Sequence, residues 1–227
     1  MPTRFLLDLY SETDARYEGS FMEVWLANSG TRPTGMKLGD TAVIATRKTV
    51  AKPAGALYTL VDRKAIYNED GTTKNTLVYP TLTKHMDNTR SSANEAQSAR
   101  DAYVIRLAEV YLIAAEAQLK LGKLDSAAVN INIVRNGAAK PGKVANMLIT
   151  PSQVTVDFIL DERAREFAGE QMRWFDLKRT GKLVERVKAH NPNATDIQPF
   201  HVLRPIPRAQ LDAVTNRVEF AQNEGYQ

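Results

Sequence analysis

Two carboxylates four residues apart, Glu162 and Glu166 in Asp161-Glu162-Arg163-Ala164-Arg165-Glu166, have the strongest enzyme-like spacing in this chain of 227 residues. On a helix their Cβ atoms lie about 5–6 Å apart on one face. That approaches the separation of about 5–5.5 Å between the carboxyl groups of a retaining glycosidase. The direction is wrong for that chemistry. Catalytic carboxylates flank a bond from opposite sides, whereas these two leave one helix together. Arg163, Arg165 and Arg173 surround them, and cations lower the pKa that a general acid needs raised. The pattern points to a structural charge network, and no catalytic residue is assigned.

Metal and cofactor chemistry finds less support. His85, His190 and His201 lack His-Glu-x-x-His and Glu-x-x-His spacing. There is no Gly-x-Ser-x-Gly elbow, phosphate loop or dinucleotide glycine pattern. The absence of cysteine removes disulfides, thiolate metal sites and any lipid attached through sulfur within these residues. No cofactor and no metal site are expected, although aspartates in loops leave calcium open. Asn193-Ala194-Thr195 has the form of a glycosylation acceptor, a tripeptide that also occurs by chance.

Aromatic residues offer a different chemistry, the stacking of a flat ring on a ligand. Tyr58 and Tyr67 lie in or beside loop-rich segments and are the candidate ligand-binding residues, each with an amphipathic ring and a polar tip. Trp25, in an alternating segment, and Trp174, on a helical face, read as core. A net charge of +4 comes from 30 basic and 26 acidic residues interspersed along the chain. Such a spread makes no phosphate-tracking stripe, so no nucleic-acid partner is expected. No run reaches the roughly eighteen apolar residues of a membrane span.

The elements that must position these residues fall into two stretches. Residues 1–100 read as a loop-rich segment with short strands at Phe21–Leu26, Ala42–Ala45 and Ala56–Val61, separated by turns such as Glu69-Asp70-Gly71. Residues 101–227 read as helical. A first helix begins at Tyr103, with Val104, Leu107, Val110, Tyr111 and Ala114 on one face. Gly122 stops it, Asp125 caps a second helix, and Ala127, Ala128, Ile131 and Val134 face the partner. Thr150-Pro151-Ser152-Gln153 reads as a capping box opening a third helix. The fold class is therefore mainly α, with tetratricopeptide-like helix pairs, short strands and long irregular loops. A lone helix pair cannot bury its own apolar face, and about three stacked units are needed for stability. Other helices must complete the stack.

Several motifs together resemble the C-terminal part of the SusD/RagB family. They are Ile105-Arg106-Leu107-Ala108-Glu109-Val110-Tyr111-Leu112, Ile131-Asn132-Ile133-Val134-Arg135, Ile159 to Glu166, Gly169 to Arg179, Leu203-Arg204-Pro205-Ile206-Pro207 and Gln222 to Tyr226. Before residue 101 the points of likeness are Asp14-Ala15-Arg16-Tyr17 and Lys84. Glu224 stands where the family commonly has proline. The resemblance implies a non-catalytic nutrient-binding lipoprotein on the outer face of the outer membrane. Its partners would be a glycan or oligosaccharide and a TonB-dependent transporter of the SusC type. It also implies a parent roughly twice this length, with a signal peptide, a lipidated cysteine and further tetratricopeptide-like helices. On that reading this chain is a fragment that exposes an apolar helix face and contacts a membrane only through an anchor outside these residues. The competing expectation is a helical-repeat scaffold for a protein partner, with no sugar site.

Overall fold

The computed structural model describes residues 1–92, 94–101, 103–216 and 218–226. It comprises two compact units, Met1–Arg173 and Trp174–Gln227.

The first unit opens with two short helices, α1 (Arg4–Asp8) and α2 (Arg16–Ser20). Strands β1 (Phe21–Met22), β2 (Val24–Leu26), β3 (Thr41–Ala45) and β4 (Thr59–Val61) follow, then helix α3 (Arg63–Ile66) and strand β5 (Thr81–Leu82). β2 and β3 pair antiparallel and β3 and β4 parallel, while β1 pairs antiparallel with β5. The apolar run from Phe21 to Leu26, expected as one strand, is thus divided between two sheets. Glu23 makes the break: its carboxylate accepts from the Tyr17 hydroxyl and, at 3.0 Å, from the Arg47 backbone N–H. Leu7, Tyr10, Tyr17, Phe21, Ile66 and Tyr67 close over Ala45 and Val61 as one core.

The helical half is built from α4 (Leu107–Lys120), α5 (Leu124–Gly137), α6 (Val144–Met147) and α7 (Val156–Glu166). Gly122 turns the chain between α4 and α5 at φ +72°, a left-handed conformation that glycine adopts without a Cβ penalty. Ala127, Ala128, Ile131 and Val134 of α5 are buried, as their spacing predicts. On α4 the expected face is corrected. Leu112 and Ala115 are the buried pair, whereas Leu107 is 68% exposed and Val110 50%. The helix also starts at Leu107 rather than Tyr103, because Arg106 is extended at φ −121° and ψ 151°. Val104, outside the helix, is 91% exposed. α4 is apolar on two sides, and periodicity does not say which side meets the core.

Capping differs in two places. Asp125 lies inside the first turn of α5 and makes no cap bond, so it acts through the helix dipole. The Thr150–Gln153 box forms, with Thr150 N donating to Gln153 Oε1 at 2.9 Å, but it closes a single 3₁₀ turn. Thr155 caps α7 instead, accepting from Phe158 N at 3.0 Å. Residues 91–102 contain no helix or strand among those described; Ala93 and Ala102 lie outside them.

The second unit begins within α8 (Arg173–Arg179), from Trp174 on, and contains α9 (Leu183–His190), a 3₁₀ turn at Pro199–Val202 and α10 (Arg208–Ala213). Its tail folds back on itself. Gln222 brackets Ile206 with bonds of 2.8 and 3.0 Å, and the Tyr226 hydroxyl donates to Leu203 O at 2.8 Å. Among the described residues no helix is long and apolar enough to cross a membrane.

Candidate functional site

The charges that the Glu162–Glu166 motif calls for come together in the first unit. Glu162, on α7, is 0% exposed. Its Oε1 accepts from Arg16 Nη1 at 2.8 Å, and its Oε2 from Arg135 Nη1 and Arg165 Nη2, each at 2.6 Å. Arg16 also forks onto Asp14 at 2.9 and 2.7 Å and reaches Glu166 Oε2 at 2.9 Å. Arg106, just before α4, donates to Glu166 Oε1 at 2.8 Å and to both oxygens of Glu170 at 3.0 and 2.8 Å. Lys84 bonds the Glu166 carbonyl at 2.8 Å and pairs with Glu170.

Burial pushes the Glu162 carboxyl up, but the guanidinium groups of Arg165, Arg16 and Arg135 outweigh that and hold it at about 2. Glu170 is lowered as well: burial opposes this, while Arg106 and Lys84 prevail. A carboxylate pinned in this way carries no proton near neutral pH and cannot act as a general acid. The network instead joins α2, α5, α7 and the approach to α4, which are distant in sequence.

Of the arginines expected around the motif, Arg165 binds Glu162, Arg163 approaches Glu109 at 3.6 Å, and Arg173 donates to Leu160 O at 2.6 Å. Arg16, Arg106 and Arg135 were not expected there. The sequence signal was a single charge set in an otherwise apolar motif, as in Ile105-Arg106-Leu107 and Val134-Arg135.

Several open clefts mark the surface of the described residues, and three bear on the candidate side chains. One of about 480 Å³ is walled by Leu107 and Tyr111 of α4 and by Ile133 and Val134 of α5, with Arg16 and Arg106 also lining it. A second, of about 430 Å³, lies among Arg4, Arg63, Lys64, Asn68 and Lys74, and Tyr67 contributes to its lining. The third, about 360 Å³, belongs to the second unit and is lined by Trp174, Asn193, Asp196, His201 and Arg204. There the Arg204 guanidinium lies 4.7 Å from the centre of the Trp174 ring. Trp25 is half-buried and packs on the first core.

The two candidate tyrosines occupy different surroundings. Tyr67 is 4% exposed, and its hydroxyl donates to Pro2 O at 2.9 Å. Burial pushes that hydroxyl up to about 12. Tyr58 is half-buried just before β4, with the Lys52 ammonium 5.8 Å from its ring centre. The structure does not bring the two rings into one cleft: Tyr67 lines the second and Tyr58 lines none of the three.

A mainly helical chain whose tetratricopeptide-like pair is locked by arginine–glutamate contacts to a loop-rich segment has a counterpart among known families. The model of the SusD family matches residues 6–226, and the chain belongs to that family. It is 38% identical over 129 residues to SusD-like protein P25 of Formosa agariphila, a match covering 54% of this chain and 24% of that protein. It is 34% identical over 131 residues to the starch-binding protein SusD of Bacteroides thetaiotaomicron, covering 56% and 22%. SusD-like protein P38 of Formosa agariphila is 36% identical over 101 residues, covering 40% and 20%. The matches thus span less than a quarter of the length of each of these relatives.

Proposed function

We propose that the chain is part of a non-catalytic surface protein that captures oligosaccharides for import. Family membership across residues 6–226 carries this reading, together with the likeness to a protein named for binding starch. The finer role follows from the same resemblance. The protein hands its ligand to a TonB-dependent transporter of the SusC type and is held on the outer face of the outer membrane by a lipid anchor outside these residues. Residues 1–100 form the ligand side and residues 101–227 the scaffold. The Glu162 network supports a non-catalytic role, because its charges are taken up in joining elements rather than in chemistry.

The exposed side of α4 supports a longer parent. Leu107, Val110, Ala114, Ala117 and Leu121 recur at alternating three- and four-residue steps, and this seam lies opposite the buried Leu112 and Ala115. A helix with apolar residues on both faces is built to lie between neighbours. Further tetratricopeptide-like helices would cover it, with Ala114 and Ala117 allowing close approach. A protein-scaffold role without a sugar site would use the same seam, so binding must decide. Isothermal titration of the chain with a panel of neutral and charged oligosaccharides should yield saturable binding to at least one. Absence of binding to all of them, with stable capture of a helical protein partner, would replace the sugar reading with the scaffold one.

A further inference from the structure

The second cleft is predominantly cationic. Four cationic side chains, Arg4, Arg63, Lys64 and Lys74, line its 430 Å³, against the carboxylate of Glu69. Asp8 lies behind, where Arg63 forks onto it and Arg4 Nε approaches it at 3.7 Å. These contacts hold the walls. Arg4 Nη1 donates to Glu69 O at 2.8 Å, tying α1 to the turn that starts at Asn68. Asp70, in the same turn, is folded onto Thr72, whose N and Oγ1 reach it at 2.8 and 2.6 Å. Asp62 caps α3 by accepting from Ala65 N at 3.1 Å. Lys64 and Lys74 are exposed and have no anionic partner among the described residues. The cleft therefore presents two uncommitted ammonium groups on a frame that its own ion pairs have fixed.

The other lining groups narrow the ligand. Asn68 Nδ2 donates to Thr72 Oγ1 at 2.9 Å, which leaves its carbonyl oxygen to accept from a hydroxyl. Thr49 adds a hydroxyl of its own at the lining. The one aromatic residue there is Tyr67, whose buried ring offers no open face. Without a stacking platform a neutral sugar has little to hold it, and charge becomes the means of recognition. The volume falls within the range of about 300–1,000 Å³ typical of small-ligand sites.

We propose that this cleft binds an anionic sugar unit of a glycan, through a carboxylate or sulfate ester set against Lys64 and Lys74. The proposal rests on the oligosaccharide-binding reading and narrows it to acidic glycans.

The test is calorimetric titration of the full chain with three probes: trigalacturonate, a sulfated carrageenan tetrasaccharide and maltotriose. At least one acidic probe should bind more tightly than maltotriose and weaken as salt is raised to about 0.5 M, where the Debye length falls below about 5 Å. The Lys64→Gln/Lys74→Gln variant should lose about 10-fold in affinity for that probe, since each exposed ion pair contributes up to about fivefold. The Lys64→Arg/Lys74→Arg variant should keep it. Both positions are solvent-exposed, so folding is retained. Which acidic probe loses affinity tells carboxylate from sulfate ester. Maltotriose binding without preference for either acidic probe, or acidic binding unchanged in the glutamine variant, would overturn the cleft assignment and leave oligosaccharide capture standing. Failure of all three probes would overturn the assignment, and if the wider panel also failed, oligosaccharide capture with it.

Discussion

Replacing Glu162 by glutamine removes one charge and leaves the side-chain shape almost unchanged, so it isolates what the network contributes. In the folded chain the carboxylate titrates at about 2 against an ordinary 4.5, despite burial that pushes the other way. At about 1.4 kcal/mol per pH unit, that difference corresponds to about 3 kcal/mol in favour of the ionised, folded form. The same size follows from leaving buried cations short of a partner, about 3–5 kcal/mol. Glu162→Gln should therefore lower unfolding stability by about 3 kcal/mol near neutral pH, measured by urea denaturation with circular dichroism. The sign with pH is fixed by the depressed folded value. The contribution is fully present above about 4.5 and disappears as pH falls through about 2, so the gap between parent and variant should close over that interval. Arg135→Met should lose less in the glutamine background than in the parent, because the two side chains share a 2.6 Å contact. A gap below about 1 kcal/mol at pH 7, or one undiminished at pH 2, would refute the view that Glu162 holds these helices in register.

Other substitutions probe separate parts of the structure. Ile131→Ala, at a fully buried position between α4 and α5, should cost about 2–5 kcal/mol by the same denaturation assay; a loss under about 1 kcal/mol would contradict that packing. Gly169 sits at φ +78°, and a Cβ there would run into the Leu82 side chain, so Gly169→Ala should lower stability by at least about 1 kcal/mol. A neutral outcome would mean that this turn is not held as described. The exposed apolar side of α4 should make the chain associate as concentration rises in sedimentation velocity, and Val110→Ser together with Ile113→Ser should reduce that association while leaving unfolding stability within about 0.5 kcal/mol. Association unaffected by the pair would remove the seam as its cause.

Local rules carried much of the chain on their own. The turn at Gly122, the buried set Ala127, Ala128, Ile131 and Val134, and the loops around Glu69-Asp70-Gly71 all follow from residue type and spacing, because neighbouring residues decide them. The Thr150 box was legible too, yet what it opens was not: five residues later Thr155 offers an equally good cap, and the choice depends on how α7 packs. Tertiary structure alone decided the rest. Both sides of α4 have apolar spacing, and only contact with α5 and α7 selects Leu112 and Ala115 over Leu107 and Val110. The split of Phe21–Leu26 depends on Glu23 meeting Tyr17 and Arg47. Arg165, three residues from Glu162, was legible, but Arg16 and Arg135 come from positions 146 and 27 residues away in sequence, separations that periodicity cannot register. A charge buried at one point must be answered by charges from wherever the chain passes nearby, and that is a property of the folded path.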